Sequence, residues 1–330
     1  MGDINQRICR RYPGLFVILL DQSGSMQEKI EDRDYQFVNR FYPDSTNAPK
    51  WLTKAHVVTA AVNTVIPDMR DAVGVDNESK TPNKSVYFAV LGYNDKVEPL
   101  IPKSRTSEGS IEATDIVTLY PKYLGMHIVE RPKRVPEGMM VDRINIPYWI
   151  KPRATGRTQM AKALKDGIDV AKKWLHTQPE YISELRRNQE SRDACFPPVI
   201  INITDARPNG EGDPLDIAKQ IQEMGAREPG EELLIFNCHL STKRDTAVHF
   251  PNSKTEFQHL DDEEKELAER MLEMSSALPN ELYDDACKAL GRPIKRGAHC
   301  YVYNADPNEL IRFLRWGTRP KGYGTGSKPR

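Results

Sequence analysis

The chain has 330 residues, enough for one large domain or two small ones with a sizeable core. Its 47 basic and 47 acidic residues cancel to a net charge of +0, which excludes a global field steering it to nucleic acid or to an anionic membrane surface. Five cysteines (Cys9, Cys195, Cys238, Cys287 and Cys300) are odd in number and form no Cys-x-x-Cys pair, a usage that points to free thiols in a reducing compartment.

Arg7, Arg10 and Arg11 precede an apolar run in the manner of a leader peptide. The run is short for a leader's apolar core of roughly 7–15 residues, and Asp21 ends it where a small-residue cleavage site belongs. Nothing approaches the ~18 apolar residues of a membrane span. The reading is therefore cytoplasmic, with no membrane partner.

Apolar runs without alternation mark strands buried on both faces, the habit of parallel sheets. In chain order they are "GLFVILL" (14–20), "SVYFAVLGY" (85–93), "PPVIINIT" (197–204), "ELLIFNCHL" (232–240) and the weaker "AHCYVYNA" (298–305). Cys238 and Cys300 fall inside these runs and read as packing residues, as do His239 and His299. A short "KVEPLI" (96–101) follows the turn-type Tyr93-Asn94-Asp95 and is expected to pair antiparallel at an edge. Between the runs, apolar residues recur at helical spacing in 54–70, 159–175, 214–226 and 262–276, and a last helix over 307–316 follows the start signal Asp306-Pro307.

This alternation predicts an α/β fold: a doubly wound, mostly parallel sheet with one antiparallel edge strand and helices on both faces, Rossmann-like in plan. A single domain over 1–320 is expected, with insertions at 27–50, 102–156 and 241–261 and a flexible tail at 321–330. Within the insertions, Tyr35, Phe37, Phe41, Tyr42, Trp51, Tyr148 and Trp149 are either anchors for a partner or small cores of the insertions themselves. The stretch 274–291, "MSSALPNELYDDACKALG", combines an apolar face with helix breaks as an assembly interface does.

Loops after the strand carboxyl ends of a parallel sheet gather on one edge, where ligands bind. "DQSGSM" opens such a loop with Asp21, Ser23 and Ser25 at alternate positions, and Gly24 permits a tight backbone. A carboxylate with two hydroxyls is a hard-oxygen set suited to Mg²⁺ or Mn²⁺. Taken alone, the triplet reads first as a strand end with solvated hydroxyls, since serine is common. "ITDARPN" (203–209) also ends a buried run on an aspartate, Asp205, and "ATGRTQMAKAL" (154–164) places Thr158 before an amphipathic helix, where it is a ligand or a helix cap. Asp21, Ser23, Ser25, Thr158 and Asp205 thus come from three loops of one edge.

The order Asp-x-Ser-x-Ser, distant Thr, distant Asp resembles the metal-ion-dependent adhesion site of the von Willebrand factor type A domain, over roughly 14–316. The resemblance implies that Ser23, Ser25 and Thr158 reach a Mg²⁺ or Mn²⁺ ion directly or through water, and that Asp21 and Asp205 bind it or hold its waters. It also implies a protein partner that completes the coordination with an Asp or Glu. Gln22, Arg157 and Arg207 flank the set and are candidate partner contacts. The chain departs from the family pattern at Arg157, where the family often has a second glycine, and at Ala206, where it often has glycine after the aspartate. Without sign of export, the chain looks like the bacterial stand-alone members, such as the tellurite-resistance-associated group. For these, resemblance implies a role in stress, signalling or defence systems beside phosphatases, kinases or MoxR-type AAA+ ATPases.

Enzymatic signatures do not appear. There is no Gly-x-x-x-x-Gly-Lys-Ser/Thr loop, no Gly-x-Gly-x-x-Gly after a strand and no Gly-x-Ser-x-Gly elbow. A phosphatase-type nucleophile at Asp21 wants a second carboxylate at the position of Ser23. A metal-dependent binding module is the expectation. The alternatives are a structural scaffold with a vestigial site and, behind it, a metal-dependent phosphohydrolase.

Overall fold

The computed structural model describes residues 8, 12–30, 52–73, 83–102, 106–135, 138–188, 196–205, 208–227, 231–241 and 247–318. In chain order its strands are β1 (Gly14–Asp21), β2 (Val86–Tyr93), β3 (Val97–Ile101), β4 (Thr114–Asp115), β5 (Gly125–Val135), β6 (Gly138–Tyr148), β7 (Val199–Thr204), β8 (Leu234–His239), β9 (Val248–His249) and β10 (Tyr301–Tyr303). Its helices are α1 (Lys54–Ala72), α2 (Ile116–Leu119), α3 (Met160–His176), α4 (Glu180–Arg187), α5 (Pro214–Arg227), α6 (Asp262–Met274), α7 (Tyr283–Leu290) and α8 (Pro307–Gly317).

Strand β1 is buried along its whole length because it is central. Phe16, Ile18 and Leu20 enter one hydrophobic cluster, while Leu15, Val17 and Leu19 enter a second on the other face, as the two-residue period of a strand requires. The first cluster takes in α1, α7 and α8; the second takes in α3, α5 and α6. The main sheet runs β3-β2-β1-β7-β8-β10-β9, with β4 beside β2. The pairs β2–β1, β1–β7, β7–β8 and β8–β10 are parallel, and β3 closes one edge antiparallel to β2. The doubly wound α/β fold is therefore as expected, including the edge strand formed by 97–101. The other edge was not anticipated: β9, from the stretch read as an insertion at 241–261, pairs antiparallel with β10.

Two expectations are corrected. The segment 102–156 is not irregular throughout: β5 and β6 form an antiparallel hairpin in register from Gly125 opposite Tyr148 to Val135 opposite Gly138, as a sheet separate from the main one. The segment 274–291 is not a free interface. Leu278, Leu282, Tyr283, Ala286 and Leu290 belong to the core, and Ser276 accepts from the Cys300 amide while its own amide donates to Ile235. Trp149 is likewise core, buried with its indole N–H on the Leu119 carbonyl, while Tyr148 stacks on His127 at 4.4 Å. Tyr35, Phe37, Phe41, Tyr42 and Trp51 lie outside the described residues, as do Cys9, Cys195 and the tail. Cys238 and Cys300 are buried, as expected of packing residues. Among the described residues no helix is long and apolar enough to cross a membrane.

One polar line crosses this apolar sheet. The Tyr93 hydroxyl donates to Asn202 Oδ1 at 2.8 Å, Asn202 Nδ2 donates to Asn237 Oδ1 at 3.0 Å, and Asn237 Nδ2 donates to Ser275 Oγ at 2.9 Å. Ser275 Oγ ends the line on the Met271 carbonyl at 2.7 Å. Asn202 and Asn237 are cross-strand partners on β7 and β8, so register alone brings them together. A buried group that loses its partner costs about 1–3 kcal/mol, whereas removing both partners costs less. Asn237→Leu is therefore expected to lower the unfolding free energy by about 2–3 kcal/mol in urea denaturation. Asn202→Leu combined with Asn237→Leu should cost clearly less than the sum of the single changes.

Candidate metal centre

The chain reverses its direction of travel across the sheet between β1 and β7, the place where open α/β sheets leave a crevice at their carboxyl edge. Asp21 is the last residue of β1, and Asp205 follows β7, whose Ile203 is in register with Leu20. Both carboxylates are buried, 1% and 2% exposed, as are Ser23 and Thr158. Ser25 is half-buried in the tight 3-10 turn Gly24–Gln27 that follows.

Hydrogen bonds stitch the three loops together. Thr204 Oγ1 donates to Asp21 Oδ2 at 2.6 Å, and the Ser23 amide donates to Asp21 Oδ1 at 2.8 Å. Ser23 and Ser25 place their hydroxyls 3.1 Å apart. The Gly24 amide donates to the Gly156 carbonyl, and the Thr155 amide to the Gln22 carbonyl. Thr158 is joined to the third loop by its amide, which donates to Asn209 Oδ1 at 2.6 Å. The N-cap of α3 is Gln159 and no side chain caps it, so the Thr158 hydroxyl is not spent as a helix cap. Asp21, Ser23, Ser25 and Asp205 meet at the carboxyl ends of β1 and β7, and Thr158 lies two residues past Gly156, whose carbonyl accepts from the Gly24 amide.

Charge in that crevice is unbalanced. Burial, and then the Asp205 carboxylate, push the Asp21 carboxyl up to about 6, against the bonds from Thr204 and Ser23 that lower it. Asp205 Oδ1 is buried with no hydrogen-bond partner among the described residues. His239 adds no positive charge at neutral pH, because burial pulls its imidazole down to about 4 as it stacks on Tyr303 at 4.6 Å. Among the described residues no three His, Cys, Asp or Glu side chains come together. An ion here would draw on the three hydroxyls as well as the two carboxylates, a hard-oxygen set.

Among the described residues one cation reaches these groups, and it was not anticipated from the sequence. Lys54, at the start of α1, is buried, with Nζ 2.7 Å from Glu28 Oε2 and 3.5 Å from Asp205 Oδ2. It is held there by the neck of the 27–50 insertion: its amide donates to the Glu28 carbonyl, Lys29 bridges Thr53, and the Ile30 amide donates to Leu52. A lysine more than twenty positions past the serines reads in sequence as an ordinary helix-surface residue.

The predicted flanking contacts divide. Arg157 is exposed but already engaged: its amide and its Nε both lie 3.2 Å from Asp95 Oδ1. Gly156 beside it has φ +80°, and a Cβ there would run into Asp95, so this loop depends on glycine. Gln22 is buried against Gly92 and borders a cleft of about 770 Å³ lined by Glu98, Leu100, Trp149 and Arg153. Arg207 lies outside the described residues.

No family model matches the chain, and no curated protein matches it. Solved structures do. Proximal thread matrix protein 1 from the mussel byssus aligns at 12% identity and a TM-score of 0.38, covering 93% of this chain and 47% of that one. Manganese-loaded TRAP protein of Plasmodium vivax aligns at 14% identity and a TM-score of 0.36, covering 96% and 76%. The PilB minor pilin of Streptococcus sanguinis aligns at 11% identity and a TM-score of 0.37, covering 92% and 60%. The chain thus spans about half the length of the mussel protein.

The Asp21 shift has a measurable sign. A carboxyl raised from 3.8 to about 6 binds its proton more tightly in the folded state, so its contribution to stability is lost as pH rises through about 6 and regained toward 3.8. In EDTA, the difference in unfolding free energy between Asp21→Asn and the parent should favour the variant at pH 7 by up to about 3 kcal/mol and shrink as pH falls to 4.5. A difference that does not change with pH would contradict the assignment.

Proposed function

We propose that this chain is a von Willebrand factor type A module that binds a protein partner through a divalent cation, Mg²⁺ or Mn²⁺. The observation that carries the reading is Asp205 Oδ1: a carboxylate oxygen buried without a hydrogen-bond partner among the described residues, beside a second buried carboxylate and the hydroxyls of Ser23 and Ser25, with Lys54 at its other oxygen. Unpaired buried charge is costly, and a hard cation is the ligand that this donor set suits. Asp205 would bind through Oδ1. Ser23, Ser25 and Thr158 supply hydroxyl oxygens, and Asp21, whose oxygens each already accept a bond, is suited to orienting a bound water. The cation supplies positive charge with coordination positions open to an outside oxygen, which makes an Asp or Glu side chain of a partner the fitting group.

The site favours binding over catalysis. Asp21 is held on both oxygens, and the nearby His239 is packed between Tyr303 and the Asp205 backbone, not presented to the crevice. The buried thiols of Cys238 and Cys300 agree with a reducing, cytoplasmic setting. On sequence resemblance, the partner is a phosphatase, a kinase or a MoxR-type AAA+ ATPase of a bacterial stress, signalling or defence system.

Titration of the purified chain with Mn²⁺, followed by calorimetry or electron paramagnetic resonance, should reveal one site. Thr158→Ala and Asp205→Asn should each weaken it at least tenfold without loss of fold by circular dichroism. The same variants, and EDTA, should abolish capture of the partner. Full-strength capture in EDTA would overturn the reading.

A further inference from the structure

Lys54 stands where two physical terms oppose it. Desolvating an ammonium costs several kcal/mol. A cation in the first turn of a helix also faces the positive end of the helix dipole. Its side chain is nonetheless only 7% exposed, while Glu28, on its outer side, is 45% exposed. The ammonium therefore sits between a buried carboxylate and a half-solvated one, closer to the solvated one: 2.7 Å against 3.5 Å. Glu28 is three residues past Ser25, and Asp205 is a member of the candidate ligand set, so the pair of anchors straddles the rim of the crevice.

We propose that Lys54 is a tethered counter-cation of the crevice, shared between Asp205 and Glu28, which competes with the divalent ion for Asp205 and is taken over by Glu28 when the ion is bound. The inference rests on the metal-binding reading above. Its logic is charge balance. With the ion absent, one ammonium partly neutralises two buried carboxylates. With the ion present, the same ammonium is surplus beside Asp205, and the nearby Glu28 gives it a place to go with little movement. Lys54 thus sets how tightly the ion is held and keeps the ion-free crevice folded. It is a positioning residue for the metal, not a ligand.

The experiment compares the full-length parent chain with Lys54→Met, which keeps the side-chain length and removes the charge. Metal-free, Lys54→Met should melt at a lower temperature, and saturating Mn²⁺ should raise its melting temperature by more than it raises the parent's. Mn²⁺ should bind Lys54→Met at least tenfold more tightly, and that ratio should persist in 0.5 M salt, because a contact within the crevice is screened far less than distant surface charge. Glu28→Gln removes the second anchor and should weaken Mn²⁺ binding in the parent but not in the Lys54→Met background, which keeps the test open if Lys54→Met folds poorly without metal. Parent binding with equal or weaker binding by Lys54→Met overturns the inference and leaves the metal reading standing. Binding by Lys54→Met alone supports the inference and removes metal dependence from the native chain. Absence of binding in both overturns both.

Discussion

Two carboxylates buried at the ends of adjacent parallel strands are the constraint around which the carboxyl edge of this sheet is organised. Asp21 and Asp205 are adjacent because β1 and β7 are neighbours at the point where the chain's path reverses. Neither has solvent to spread its charge. What surrounds them is a set of partial answers to that repulsion: hydroxyls and amides on Asp21, an ammonium on one oxygen of Asp205, and nothing on the other. Tyr93, whose hydroxyl feels the negative field of Asp21, begins the line of amides and hydroxyls that crosses to Ser275. Along that line, from Tyr93 to Ser275, each group is satisfied by the next.

The crevice also depends on backbone. Its loops hold one another chiefly by main-chain bonds, Gly24 to Gly156 and Thr155 to Gln22, with Asn209 and Asp95 as the side chains that clamp from outside. The candidate ligand side chains are themselves partly drawn into this scaffold: Asp21 accepts on both oxygens and the Ser23 and Ser25 hydroxyls meet, while Thr158 is tethered through its amide.

Much of this was legible in the sequence, for identifiable reasons. The central strands announce themselves because burial on both faces removes alternation, and the aspartates that follow "GLFVILL" and "VIINIT" mark their carboxyl ends. The five longer helices α1, α3, α5, α6 and α8 followed from apolar spacing and the Asp306-Pro307 start signal, within a few residues of their observed ends, whereas α2, α4 and α7 were not anticipated. Asn202 and Asn237 carried a signal of their own: an amide within the apolar run of each of two neighbouring strands calls for a buried partner, and each is the other's. The hairpin β5–β6 was hidden because it lies off the main sheet, and its Pro, Arg and Lys content argues against strands wherever pairing is not already known. The apolar face of 274–291 was real, but an amphipathic segment has the same pattern whether it covers its own core or another protein's. Lys54 had no local signal at all. Its meaning comes from a return of the chain that only the fold supplies.

That return has a consequence for how such a chain varies over generations. The Lys29–Thr53 bridge and the Ile30–Leu52 bond pin the two ends of the excursion together beside Ser25. Once the ends are pinned, lengthening the segment between them adds closure entropy only as the logarithm of its length, about 0.6 kcal/mol per doubling. The crevice and the sheet are insulated from whatever is spliced in above the neck. Selection is therefore free to rewrite the length and chemistry of the segment between those two pinned ends while the sheet stays fixed.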